Sequence, residues 1–386
     1  MAVLNSWQKI DRVLAGQPFG TGVDGAYSSA TVPTVVYKTC AGTATQTKFA
    51  ADTDATPFAV GDVILLHQTR GTGAGQWEIV KVASLGSDEY NTTTALNYTY
   101  TDSGASQAQA VKIPQYTDVT VQTGTWTVPA WDGNVGGILP LAANKTVTVT
   151  GTISATTKGF LGGAGVRGRP SNAIQGEGTS GAGAGSTSAN GNGGGGGYVP
   201  NSDSRSAGGG GGGHGASGTS GSVWGDGCIG GTGGETAGAA DLTNIVPGGA
   251  GGGGANDGGG ADTVGNGGAA GGIVLIFGKV VIMTGSVVTN GGNGGNSTTS
   301  GAGGGGGAGG SALIVCATAT LGTNLVTVAA GSGGTGASNA VGGAGAVGRI
   351  AVHHSGTITG TTNPTFTDVT DTSLVESGGG AFFAFF

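Results

Sequence analysis

Charge is scarce in this chain: Asp, Glu, Lys and Arg make up 9 % of its 386 residues, against roughly 25 % in an ordinary soluble domain. That composition excludes a charge-driven disordered tail, and the net charge of −7 disfavours binding to a phosphate backbone, so no nucleic-acid partner is expected. Proline is scarce too, with 10 residues. A collagen helix needs abundant proline and glycine at every third position, and the run Gly208–Gly213 breaks that period. The three cysteines, Cys40, Cys228 and Cys316, are widely spaced and form no CxxC pair. They read as small buried apolar residues rather than a disulfide framework or zinc site. Long hydrophobic runs are missing: the candidate Ile273 to Phe277 is strand-sized, so no membrane insertion is expected. The start MAVLNSWQKIDRVLAG carries Lys9, Asp11 and Arg12 and no apolar stretch of leader length. It reads as a chain made and assembled in a cytoplasm.

Glycine is abundant, at 90 residues, of which 15 lie in residues 1–150 and 75 in the rest. The chain is therefore two materials. Within the first, Val3, Trp7, Ile10 and Leu14 recur at helical spacing and predict a short amphipathic helix over 1–16. Its apolar face must be covered, either by a partner or another copy, or by the following domain. From Tyr27 the pattern turns to short β segments bounded by Gly, Asp, Asn and Pro, such as FAVGDVILLHQT and QWEIVKVAS. Residues 17–145 thus predict a small antiparallel β-sandwich or barrel, read as an attachment domain.

Residues 146–375 predict a glycine-rich scaffold. Glycine runs feed apolar strands in GGAAGGIVLIF, GGGGGAGGSALIVCA and GGAGAVGRIAV, with strands beginning at Ile273, Ala312 and Arg349. A recurrence of that length marks a repeat whose units bury apolar faces on their neighbours. Glycine loses more backbone entropy on ordering than any other residue, so the runs at 191–197, 207–215, 248–260 and 301–310 need compensation. Extended threefold strands without Cβ atoms can pack closely and bond N–H to C=O between neighbours. The expected fold is mainly β: a short N-terminal helix, an antiparallel sandwich or barrel, then a repeat domain of packed polyglycine-II-like strands and β-strands. The segment 376–386 closes with AFFAFF, and Phe382, Phe383, Phe385 and Phe386 are expected to dock into this chain, another copy or a partner.

Catalytic signatures are missing. No GxxxxGK followed by Ser or Thr occurs, since the single Gly-Lys pair, Gly278-Lys279, precedes Val280. No GxSxG surrounds a serine, and His67, His214, His353 and His354 have no partner pattern that would orient a base. His353 and His354, adjacent in a strand, would point to opposite faces and read as a surface or partly buried pair. Asp52/Asp54 and Asp88-Glu89 read as solvated turns rather than calcium loops. Within the glycine region, the local carboxylate pairs a glycosidase would need reduce to Asp226 with Glu235, or Asp257 with Asp262. The expectation is no enzyme, no cofactor and no metal. What remains is surface: Tyr198, Trp224 and Asp226 stand between glycine tracts as candidate contacts for a receptor or partner, though Trp224 could equally fill a gap in a core.

Glycine runs separated by short variable segments, behind a β-rich front end, resemble the glycine-rich tail-fibre adhesins of T-even-type bacteriophages. The resemblance implies packed polyglycine-II helices holding loops that bind host receptors. The strands IVLIFGKVVIM and SALIVCATATL and the GGNGG turn at 291–295 also resemble glycine-rich β-solenoid-like surface proteins. The expected function is a non-enzymatic virion protein of a phage tail or fibre, with itself, other tail proteins, and a host protein or polysaccharide as partners. The alternative is a self-assembling subunit of an extracellular filament or sheath.

Overall fold

Residues 37–112 alternate side chains across strands that close on themselves. In the computed structural model, which describes residues 17–51, 58–201, 205–258, 263–298, 301–336, 339–372 and 374, six antiparallel strands form a closed barrel. They are Tyr37–Ala41, Lys48–Ala51, Val63–Arg70, Trp77–Leu85, Glu89–Thr92 and Gln107–Lys112. Closure removes free sheet edges. Ile64, Leu66, Val80 and Val82 fill one core with Phe49, Phe58, Tyr90 and Tyr100. Val63, Leu65, Trp77, Ile79 and Val111 face outward into a second core.

That second core is shared with a parallel sheet. Ile138–Val149 pairs with Ile273–Met283, which pairs with Ser311–Thr327, which pairs with Arg349–His354. Along IVLIF, Ile273, Leu275 and Phe277 pack against the barrel, while Val274 and Ile276 point into a core on the sheet's other side. Burial on both faces is why the run is continuously apolar. The sheet curls around the latter core. Ser311–Thr327 bonds Ile273–Met283 with its first half and Ser286–Val288 with its second, and Ser286–Val288 continues to Thr152–Ser154 and Thr125–Thr127. Register Ile273↔Ser311↔Arg349 sets the coil at 38 residues.

The glycine runs extend from the ends of these strands as a packed array. Gly303, Gly306 and Gly309 donate to Ala340, Gly343 and Ala346, and Gly304, Gly307 and Gly310 donate to Gly295, Gly292 and Thr289. Gly305 and Ala308 donate to Gly252 and Gly249. The segment 303–310 thus bonds three neighbours in rotation, with N···O distances of 2.7–3.0 Å across these contacts. A period of three is that of an extended chain with three residues per turn.

Two features of the expected fold class are corrected. No helix occurs among the described residues; the stretch carrying Val3, Trp7, Ile10 and Leu14 lies outside them, as do Phe382, Phe383, Phe385 and Phe386. A chain dominated by glycine and β-branched residues satisfies its backbone through ladders and glycine contacts instead. The strands of the glycine-rich part also do not form a repeat domain of their own. They share one curled parallel sheet with Val119–Val121 and Ile138–Val149, because strands apolar on both faces need cover on both sides.

Candidate binding surface

The array has two ends. At its foot, Gly71 N–H donates to Thr179 O at 2.8 Å and Ile245 N–H to Gly75 O at 2.9 Å, tying the array to the barrel. From Gly248 at the foot to Ala255 at the far end is about 22 Å at 3.1 Å per residue. At that far end, or tip, the runs break into two-residue strands: Val166–Arg167, Ala255–Asn256, Ser206–Ala207 and Val223–Trp224 form a small sheet in that order. Beneath it Ala173, Val199, Ala207 and Ala255 make a miniature core, with Cys228 half-buried against it. Burial pushes the Cys228 thiol pKa up, and the Arg205 charge pulls the other way.

The sequence-predicted residues meet here. Ser206 is opposite Trp224, and Tyr198 exchanges backbone hydrogen bonds with Ile229 at 2.8 and 3.0 Å. Asp226 sits on the turn between them, where Gly225 (φ +103°) and Gly227 (φ +78°) take left-handed conformations that only glycine adopts readily. Arg205 lies under this turn. Its Nη1 donates to the Asp226 carbonyl and lies 3.9 Å from the exposed Asp226 carboxylate. Trp224 does not fill a core gap: it is exposed, as are Val223 and Ile229. Val341 joins them, since Ser222 N–H donates to Val341 O at 2.9 Å, and it too is exposed. Val341 was not singled out from the sequence, because its neighbour Ser222 is 119 residues away. The tip thus exposes several apolar side chains on short segments that rise from packed glycine.

The other candidates separate. Glu235 lies at the foot, where its N–H donates to Gly191 O, so it is at the opposite end from Asp226. Asp257 is buried in an ion pair with Arg169, and Asp262, Asp52 and Asp54 lie outside the described residues. Glu89 pairs with Lys48 at 2.8 Å. Cys40 and Cys316 are buried. His353 and His354 are both buried as well, the first bonded to Asp241 O and the second to the Asp368 carboxylate, each at 2.7 Å. Among the described residues no three of His, Cys, Asp and Glu cluster as metal ligands, and no helix is long and apolar enough to cross a membrane.

Sequence reasoning missed a buried carboxylate at the foot. Glu177 pairs with Arg70 of the barrel, accepts the Trp131 indole N–H at 2.9 Å and the Leu161 N–H at 3.1 Å. Its oxygens are committed to these donors, so the group locks the junction rather than facing a substrate.

No protein-family model and no curated protein matches the chain. Among solved structures it is similar to the Gp54 tailspike of Acinetobacter baumannii bacteriophage AP22, solved in complex with A. baumannii capsular saccharide. The identity is 11 % and the TM-score 0.21, over 89 % of this chain and 47 % of that one. The chain therefore spans about half the length of that tailspike, and at this TM-score the likeness carries no argument.

Proposed function

We propose that this chain is a non-enzymatic structural protein of a phage tail or tail fibre that contacts the host surface through its glycine-array tip. The barrel and the curled sheet serve as the base, and Tyr198, Trp224 and Asp226 lie in the contact surface. The exposed apolar side chains Val223, Trp224, Ile229 and Val341 at the tip carry the reading, because several large apolar groups held in water at one end of the array favour a partner that covers them. An aromatic ring on a fixed turn supplies contact area with little entropy to lose. The wide separation of Asp226 from Glu235 and the pairing of Asp257 support a binding role over glycoside cleavage, which needs two carboxylates facing one bond.

Fluorescently labelled full-length protein should bind cells of a bacterial host in a panel and compete with phage adsorption there, and Trp224→Ala should abolish both. Equal binding by wild type and variant would overturn the assignment of the tip. A second reading, a self-assembling filament subunit, draws on strand Ile358–Asn363, which pairs only with Ser311–Thr327 among the described residues and leaves an edge open to another chain. Long polymers in negative-stain images would favour it.

A further inference from the structure

Where barrel and array meet, a groove of about 590 Å³ opens between them. Thr72 and Ser106 line the barrel side, and Thr179, Ser180 and Thr236 line the array side. The groove is preformed. Its walls are tied across by Gly71 N–H to Thr179 O at 2.8 Å and by Asn244 Nδ2 to Ala74 O at 3.2 Å. The barrel turn is held by three left-handed glycines, Gly71, Gly73 and Gly75, with φ of 85°, 80° and 86°. Arg70 donates from Nε to Ala105 O at 3.0 Å and, through its pairing with Glu177, anchors the groove from behind. A rigid concavity between two structural units, within the roughly 300–1,000 Å³ of ligand sites, is where small molecules bind.

The lining selects the chemistry. It contains five hydroxyl side chains and no Asp, Glu, Lys, Arg or His, so a charged ligand would shed water without gaining a counter-charge. Hydroxyls both donate and accept, matching a ligand that is itself rich in hydroxyls, and the Ala74 and Ala105 methyls offer small apolar steps for its C–H faces. We propose that this groove binds a segment of neutral oligosaccharide, at a site separate from the tip and not dependent on the tip's role.

The test is saturation-transfer NMR on the full-length protein with maltotriose, cellotriose and chitotriose as neutral probes and trigalacturonate as the anionic one. At least one neutral trisaccharide should give a saturable signal below about 10 mM, a weak affinity near −3 kcal/mol, and trigalacturonate should give none. Ser180→Trp and Thr236→Trp fill the groove from exposed positions. Each should weaken the binding at least about tenfold, whereas Trp224→Ala at the tip should leave it unchanged. The proposal is overturned if no neutral probe saturates, if trigalacturonate binds equally well, or if neither filling variant alters the signal. Loss on Trp224→Ala alone would likewise overturn it and place the saccharide at the tip.

Discussion

Gly305 measures how strictly the array requires glycine. A Cβ there would lie 1.9 Å from Gly210 O, a backbone atom that cannot rotate away. Gly305→Ala is therefore expected to destabilise the protein by about 2–3 kcal/mol, the scale of overpacking a tight core. Gly185→Ala, whose new Cβ would meet nothing closer than Asn172 O at 3.3 Å, should stay within about 0.5 kcal/mol. Urea midpoints of the two variants decide this, and equal shifts would show that the array is looser than its contacts. His214 is a second residue-scale reporter. It is fully buried, its Nδ1–H donates to Gly309 O at 2.7 Å, and burial lowers its pKa to about 4. The unfolded chain, with histidine near its ordinary pKa of about 6.5, takes up a proton first as pH falls. Stability from this group is thus intact above about pH 6.5 and declines towards pH 4, by at most about 3 kcal/mol. His214→Gln should flatten that part of the pH profile, measured as the urea midpoint from pH 7 to 4.

At the scale of elements, the central strands are buried on both faces, which predicts an outcome unlike that of a half-exposed sheet. Leu275→Ala opens a cavity towards the barrel and Ile276→Ala opens one inside the curl. Both should cost about 3 kcal/mol, whereas alternation with solvent would leave one of the pair nearly neutral. The 38-residue coil was largely legible. Strand starts at Ile273, Ala312 and Arg349 fall within one residue of the observed register, and the slip at Ser311 arises because a polar residue, bonded through Oγ to Val246 O at 2.8 Å, opens that strand. The motif Asn290-Gly-Gly-Asn293-Gly-Gly-Asn296 also carries a readable period. Each asparagine Oδ1 accepts an N–H from the next coil, of Ala329, Ser332 and Thr335, at 2.7–2.9 Å, while the glycines between point into the array. The membership of Ile138–Val149 in the same sheet was legible in its second half: TVTVTG from Thr146 shares with KVVIMTG from Lys279 and ATATLG from Ala317 a β-branched run followed by a glycine, and the three take the register Thr146↔Val280↔Thr318. The first half, ILPLAA, carries no such cue, because its partner follows only after a long glycine-rich excursion and pairing over such a separation leaves no local pattern. The tip was half legible: an isolated tryptophan or tyrosine among glycines stands out in a sequence, but Val341 does not.

At the scale of the molecule, the array is useful as a mount only if its foot cannot move against the barrel, and that depends on Arg70 and Glu177. Both side chains are almost wholly buried, so removing one partner leaves a charge in a dry site, at a cost of about 3–5 kcal/mol. Glu177→Ala should therefore lower the unfolding midpoint sharply, whereas Arg70→Met with Glu177→Leu, which removes both charges and keeps apolar volume, should recover the part due to the unpaired charge but not the part due to the Trp131 and Leu161 N–H groups left without an acceptor. The single variant should also uncouple the units. If wild type melts as one cooperative transition, Glu177→Ala should separate the barrel from the array in calorimetry. Trp224→Ala, about 20 Å away along the array, should leave the midpoint within about 0.5 kcal/mol while removing cell binding. A tip variant that unfolds the protein, or a foot variant that leaves a single unshifted transition, would contradict a rigid mount with separable base and contact surface. Array stiffness and tip chemistry would then have to be treated as one cooperative unit.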